Sequence, residues 1–226
     1  MADRTTSPTS VEPLEVELFM DYHCPYSHRV AAWLDGLGPE RVAVRHRLFG
    51  LEQVNRDPTA TEWRLWEQPL DYVHHGARQN RRSLAAFLAT AIVEAAEPPT
   101  VARRFRAGVY AARFDERLDI ADPEVLDRLA SAARAAPDRV PAGLSDHDTI
   151  EAARRQIAVD WAAGRTDYAI FGVPTLRVGR ARPFYLRLAR PVDPAEGPRF
   201  LDALLAFRAA APDVLELKLP EPVKPA

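Results

Sequence analysis

Residues 14–49 constrain the fold of this chain more than any other stretch. Leu14 to Tyr22 is an apolar, buried-type strand, Pro25 to Leu37 carries a helical pattern, and Arg41 to Phe49 alternates as a second strand. A strand–helix–strand start favours two parallel strands joined by a right-handed crossover. The class is therefore α/β. With 226 residues, 47% of them hydrophobic, the chain can bury one full core, or one domain with a large insertion.

Gly50 to His75 is irregular and carries Trp63, Trp66, Pro69, Tyr72, His74 and His75. A connection of that length in a compact domain is usually functional. Four helical patterns follow. Leu84, Phe87, Leu88, Ala91 and Ile92 form one stripe, and Val101, Phe105, Val109 and Ala112 a second. Asp122-Pro123 is a cap followed by a first-turn proline, opening a third helix through Leu126 and Leu129. Ser145 or Asp146 opens a fourth, with Ile150, Ala153, Ile157 and Trp161 on its buried face. Thr175–Val178 and Phe184–Leu188 then flank Gly179-Arg180-Ala181-Arg182 as a hairpin. A last helix carries Phe200, Leu201, Leu204, Leu205 and Phe207.

Cys24, the only cysteine, stands at the handover from the first strand to the first helix, and Pro25 follows it. Such a thiol feels the free N–H groups and partial positive charge of a helix N-terminus, a setting that favours thiolate. Ser27 is placed to donate a hydrogen bond to that sulfur. One cysteine makes no intramolecular disulfide, which points to a reducing, cytoplasmic compartment. His23 and His28 flank Cys24, but three residues around one helix start seldom converge, so no metal is expected. His28 is expected to be solvated, and the role of His23 stays open, tuning of the thiolate being one reading. Net charge is −2, with no global field directed at nucleic acid. No apolar run approaches the length of a membrane span, and none is expected to bind a membrane. Arg81-Arg82, Arg103-Arg104 and Arg154-Arg155 read as solvated helix faces. Residues 1–13 and 220–226 read as flexible tails.

Two motifs give the pattern a resemblance. Cys24-Pro25-Tyr26-Ser27 looks like the active-site turn of the DsbA-like proteins. Phe171-Gly172-Val173-Pro174-Thr175 looks like the cis-proline loop before the third strand of their fold. The clan includes DsbA oxidoreductases, 2-hydroxychromene-2-carboxylate isomerases and kappa-class glutathione transferases. The resemblance covers roughly residues 14–210. It implies a thioredoxin-like fold with an inserted helical domain: residues 14–75 and 165–210 form the thioredoxin-like part and 76–164 the insertion. It also implies that Pro174 is cis and lies against the sulfur, and that the Val173 backbone offers edge hydrogen bonds to a substrate. The chain departs from a dithiol oxidoreductase at Ser27, where a second cysteine would stand. It departs from the isomerase branch at Cys24, where serine is common.

A serine cannot resolve a mixed disulfide. Three readings follow. In the first, Cys24 is the nucleophile of a cis–trans (E/Z) isomerase acting on a conjugated carbonyl or polyene by reversible thiol addition. Cys24, Ser27 and Pro174 are then the catalytic candidates. Pro25, Tyr26, Trp66, Tyr72, His75 and Val173 bind a small-molecule or carrier-protein-bound acyl substrate, and no cofactor is required. In the second, the protein is a monothiol oxidoreductase resolved by a low-molecular-weight thiol of the glutathione or mycothiol type. In the third, it is a non-catalytic peptide binder using the sheet edge beside Pro174. The sequence admits a homodimer.

Overall fold

The computed structural model describes residues 12–72 and 82–218. Strand β1 (Leu14–Met20) lies inside the sheet, because Val16, Leu18, Phe19 and Met20 are all buried. Each large apolar side chain buried this way contributes about 1.5–3 kcal/mol. Helix α1 (Pro25–Gly36) crosses over to β2 (Val42–Leu48), which pairs parallel with β1 from Leu14↔Val42 to Met20↔Leu48. Strand β3 (Thr175–Val178) pairs antiparallel on the other side of β1, from Val16↔Val178 to Phe19↔Thr175. Strand β4 (Phe184–Tyr185) closes the hairpin, giving the order β2-β1-β3-β4. The expected fourth strand ran to Leu188. Its pairing ends at Tyr185, after which Leu186 N–H still reaches Pro174 O at 3.1 Å.

The connection after β2 holds more order than expected. Helix α2 (Leu51–Val54) and a 3₁₀ turn (Leu65–Glu67) lie within it. His74, His75 and Arg81 lie outside the described residues. Helices α3 (Leu84–Ala96), α4 (Pro99–Phe114), α5 (Pro123–Ala132), α6 (Arg139–Ser145) and α7 (His147–Ala162) follow. The sequence stripe on α3 suggested one buried face. In the structure every residue from Leu84 to Val93 is buried, because α4, α5, α6 and α7 all pack against this helix. Gly143 of α6 permits this closeness: a Cβ there would come within 2.7 Å of Ile92. The Asp122 carboxylate accepts from Glu124 N–H and Asp146 from Thr149 N–H, so both expected caps form. Helix α7 runs into a π-helical turn (Ala163–Asp167), and α8 (Gly197–Ala210) packs on α1.

Two links tie the helical block to the sheet. At the end of β1, the Tyr22 hydroxyl hydrogen-bonds Thr90 Oγ1 of α3 at 2.7 Å. Beside β2, Arg47 bridges Glu17 of β1 and Asp160 of α7, and Arg177 of β3 also reaches Glu17. Asp160 is 1% exposed and accepts in addition from Leu48 N–H at 3.0 Å. Removing one partner of such a buried pair costs about 3–5 kcal/mol.

Candidate active site

Cys24 is the N-cap residue of α1, held in extended backbone, with Pro25 in the first turn. Its own N–H is spent on Asp21 O at 3.0 Å, and its carbonyl accepts from His28 N–H at 3.1 Å. The Val173–Pro174 peptide is cis, as the resemblance implies. The Cys24 thiol donates to Val173 O at 3.4 Å. The two motifs, 149 residues apart in sequence, therefore meet at one sulfur.

The thiol rests on an apolar floor of Phe19, Phe49, Ile170 and Val173. Phe49 is edge-on to Phe19 (6.0 Å between centroids) and stacked on Trp161 at 4.6 Å. Gly164, in the π-helical turn, makes room for both phenylalanines: a Cβ there would lie 2.5 Å from Phe49 and 3.2 Å from Phe19. The floor thus draws on β1, the segment after β2, the end of α7 and the cis-proline loop.

That environment corrects the expected ionisation. Burial pushes the Cys24 thiol above its ordinary value, and Asp21 adds to the push. Hydrogen bonds from the Ser27 hydroxyl and from the Ser27 and Tyr26 backbone oppose the rise without cancelling it. Sulfur at this helix start loses more by leaving water than the helix terminus returns. The resting group is a thiol, consistent with its donation to Val173 O.

Ser27 is fully buried one turn along α1, and its Oγ also accepts from Asp21 N–H at 3.5 Å. Tyr26 is half-buried at the mouth, and Pro25 is exposed there. Trp66 does not join the thiol's floor. It meets Trp161 at 6.2 Å, one ring outside the floor, and its carbonyl accepts from Arg154. Arg154 is therefore an anchor rather than part of a solvated face. Tyr72 also leaves the expected pocket wall, because its hydroxyl donates to Glu52 Oε2 at 2.5 Å inside the protein. Among the other histidines, His28 is only partly exposed. It is stacked on Tyr110 (5.1 Å) and on Phe114 (5.2 Å), and burial lowers its pKa. Buried His23 accepts from Arg113 Nε at Nδ1, 2.9 Å. This places the His23 proton on Nε2 and brings an α4 guanidinium within one residue of the cysteine.

Sequence reasoning missed the polar base under the turn. Asp21 is fully buried, and its carboxylate accepts from His23 N–H (2.7 Å), Leu51 N–H (2.7 Å) and Ser83 Oγ (3.0 Å). Glu52 accepts from Ser83 N–H at 2.6 Å and from Tyr72, and burial pushes its carboxyl up to about 7. The one sequence signal was an acid at the end of an apolar strand, three residues before the cysteine. Among the described residues no group of His, Cys, Asp or Glu is arranged to hold a metal, and no helix is long and apolar enough to cross a membrane.

Comparison with known proteins places this geometry. Among solved structures, the cytosolic disulfide reductase DsbM from Pseudomonas aeruginosa superposes with a TM-score of 0.57 at 19% identity, covering 86% of this chain and 100% of that one. A probable DsbA oxidoreductase from Streptomyces coelicolor superposes with 0.56 at 20% identity, covering 92% and 94%. The thiol-disulfide exchange protein α-DsbA2 from Wolbachia pipientis gives 0.53 at 14% identity, covering 88% and 85%. No curated protein sequence matches the chain. These likenesses show the fold, and residues 15–193 match the DSBA-like thioredoxin domain. The chain accordingly belongs to the DsbA-like family of thiol-dependent oxidoreductases and isomerases.

Proposed function

We propose that the protein is a single-thiol E/Z isomerase of conjugated carbonyl compounds, working through Cys24. The observation that carries this reading is a lone, free cysteine on an aromatic floor, with a buried serine at the resolving position. A nucleophile without a resolving thiol suits chemistry in which the sulfur leaves as it arrived.

The step balances without an oxidant. The Cys24 thiol releases its proton to solvent, and the thiolate adds to the β-carbon of the conjugated carbonyl. The π electrons move to the carbonyl oxygen as an enolate. The former double bond, now single, rotates. Collapse of the enolate breaks the C–S bond and returns the thiolate to the hydrogen bonds of Ser27 and Tyr26. A raised pKa reduces the thiolate fraction but makes each thiolate a better nucleophile. The apolar floor accepts a flat conjugated chain, small or carrier-borne, and a reducing, cytoplasmic compartment keeps the thiol free.

Family membership supports a second reading, a monothiol oxidoreductase. Cys24 attacks a substrate disulfide and expels one thiol. A low-molecular-weight thiol then attacks the substrate sulfur still bound to Cys24, expels the Cys24 thiolate and leaves as a mixed disulfide with that substrate half. The deciding experiment incubates the protein with Z enones, free and carrier-bound, without added thiol, and follows the E/Z ratio by chromatography. Isomerisation lost in Cys24→Ser supports the first reading. No isomerisation, together with disulfide reduction that requires added thiol, replaces it with the second.

A further inference from the structure

Residues of α1 and α4, with His46 of β2, enclose a cavity of about 60 Å³ that Cys24 does not line. Ala32 of α1 and Ala107 of α4 are both exposed and both line it, so it opens to solvent between the two helices. Three other lining residues carry a buried polar atom with no hydrogen-bond partner among the described residues: His46 Nδ1, Arg106 Nε and Tyr110 Oη. His46 is 7% exposed and Tyr110 2%, so bulk solvent does not satisfy their rings. Buried polar atoms normally find a partner, and three unmatched ones around one small space make a polar lining.

All three atoms can donate. The Nε–H of Arg106 can do nothing else, while its Nη1 is already spent on Glu94. Burial keeps the Tyr110 phenol protonated. Burial also holds the His46 imidazole neutral, with Arg106 adding to the effect, and a neutral ring can carry its proton on Nδ1. Three such donors suit an occupant that only accepts. A carboxylate does so with two oxygens, and a guanidinium edge is its usual partner. The volume restricts the occupant to a few heavy atoms. The other titratable groups on the wall are His28, whose pKa burial lowers, and Asp35, whose carboxyl burial pushes up against the pull of Arg106 and Arg103. Asp35 is the one group there that opposes an anion.

We infer that this cavity is a binding site for a small aliphatic carboxylate of the formate or acetate class, held by Arg106, Tyr110 and His46. The occupant joins α1, which begins at Cys24, to α4 of the inserted helices. The site rests on no part of the isomerase reading.

The test titrates full-length ¹⁵N-labelled protein with sodium acetate at constant ionic strength and follows the Nε–H resonance of Arg106, assigned by its loss in Arg106→Lys. The resonance should move saturably in the millimolar range. Acetamide, which lacks the charge, should bind about tenfold more weakly, and benzoate, too large for the cavity, should not move the signal. Tyr110→Phe should weaken acetate about tenfold. Ala107→Leu changes only an exposed position on α4, and it should abolish binding by blocking the entry. Asp35→Asn should tighten acetate about threefold, a gain that a damaged fold would not produce. Circular dichroism confirms that each variant is folded. A resonance that acetate never saturates, as in a cavity that takes only water, overturns the inference. So does an equal response to benzoate, or binding unchanged in both Tyr110→Phe and Ala107→Leu. Cys24→Ser should bind acetate as wild type does, so loss of the isomerase reading leaves this site standing, and failure of acetate to bind leaves that reading untouched.

Discussion

Glu52 should make the protein lose stability as pH rises through neutrality. Its carboxyl is 6% exposed and holds Tyr72 and Ser83, with its pKa raised by burial from the ordinary 4.5 to about 7. The sign follows from proton counts. Between pH 4.5 and 7 the folded state keeps a proton that the unfolded state has released, so raising the pH favours unfolding. Above pH 7 the folded state must carry a buried charge, and the penalty levels off at about 3 kcal/mol. Most of that, about 2–3 kcal/mol, is lost between pH 5 and pH 8. Glu52→Gln keeps the shape and removes the titration: the amide oxygen can accept from Ser83 N–H, and the amide nitrogen can donate to the Tyr72 hydroxyl. Urea unfolding of both proteins at pH 5, 6, 7 and 8 reads the effect. Glu52→Gln should gain on the parent steadily across that range. A stability difference constant with pH would refute the argument that this carboxyl is protonated in the folded state below pH 7.

Three further outcomes are expected. Alkylation of Cys24 by iodoacetamide should show a midpoint above the ordinary thiol value of about 8.5, and Ser27→Ala should raise it further, because a hydrogen bond to the thiolate is lost; a midpoint below that value would show that burial does not dominate. Gly164→Ala should destabilise the protein by about 1–3 kcal/mol in thermal unfolding and slow the Cys24 reaction, since the new methyl group strikes Phe49 and Phe19 beneath the sulfur; unchanged melting would show that the floor yields freely. Ser27→Cys should create dithiol–disulfide activity in an insulin reduction assay that the parent lacks. Equal activity in both proteins would mean that position 27 does not resolve the disulfide.

The parts legible in the sequence are those whose signal is local. The strand–helix–strand start, the caps at Asp122 and Asp146, and the hairpin around Gly179 all follow from neighbouring residues, and each forms at or within a few residues of its expected place. The cis peptide at Pro174 was expected from the resemblance and is present, and the Cys24 thiol donates to the carbonyl of Val173 just before it. What was hidden depends on distant partners. The helix-start argument for a thiolate at Cys24 contained no term for the floor supplied by Phe49 and Ile170. Trp66 and Tyr72 were assigned to a pocket by nearness in sequence, but Trp161 and Glu52 hold them elsewhere. His28 was expected in solvent because α1 begins at the surface, and only α4 reveals the two rings it stacks on. Asp21 reads as an ordinary strand-end acid until Leu51 and Ser83 are brought to it.

The carboxylate of Asp160 has a consequence beyond its ion pair. In the parallel register with β1, the N–H of Leu48 points away from the sheet, toward the place a fifth strand would occupy. Asp160 Oδ2 already accepts that N–H, standing where an incoming strand's carbonyl would have to sit. A helix side chain thus ends the sheet at its β2 margin and shields one of its strongest adhesive positions from neighbouring molecules. Loss of this carboxylate therefore does more than unpair Arg47. It reopens a docking position for foreign strands, so a variant at Asp160 that still folds is the one in which self-association should first be sought.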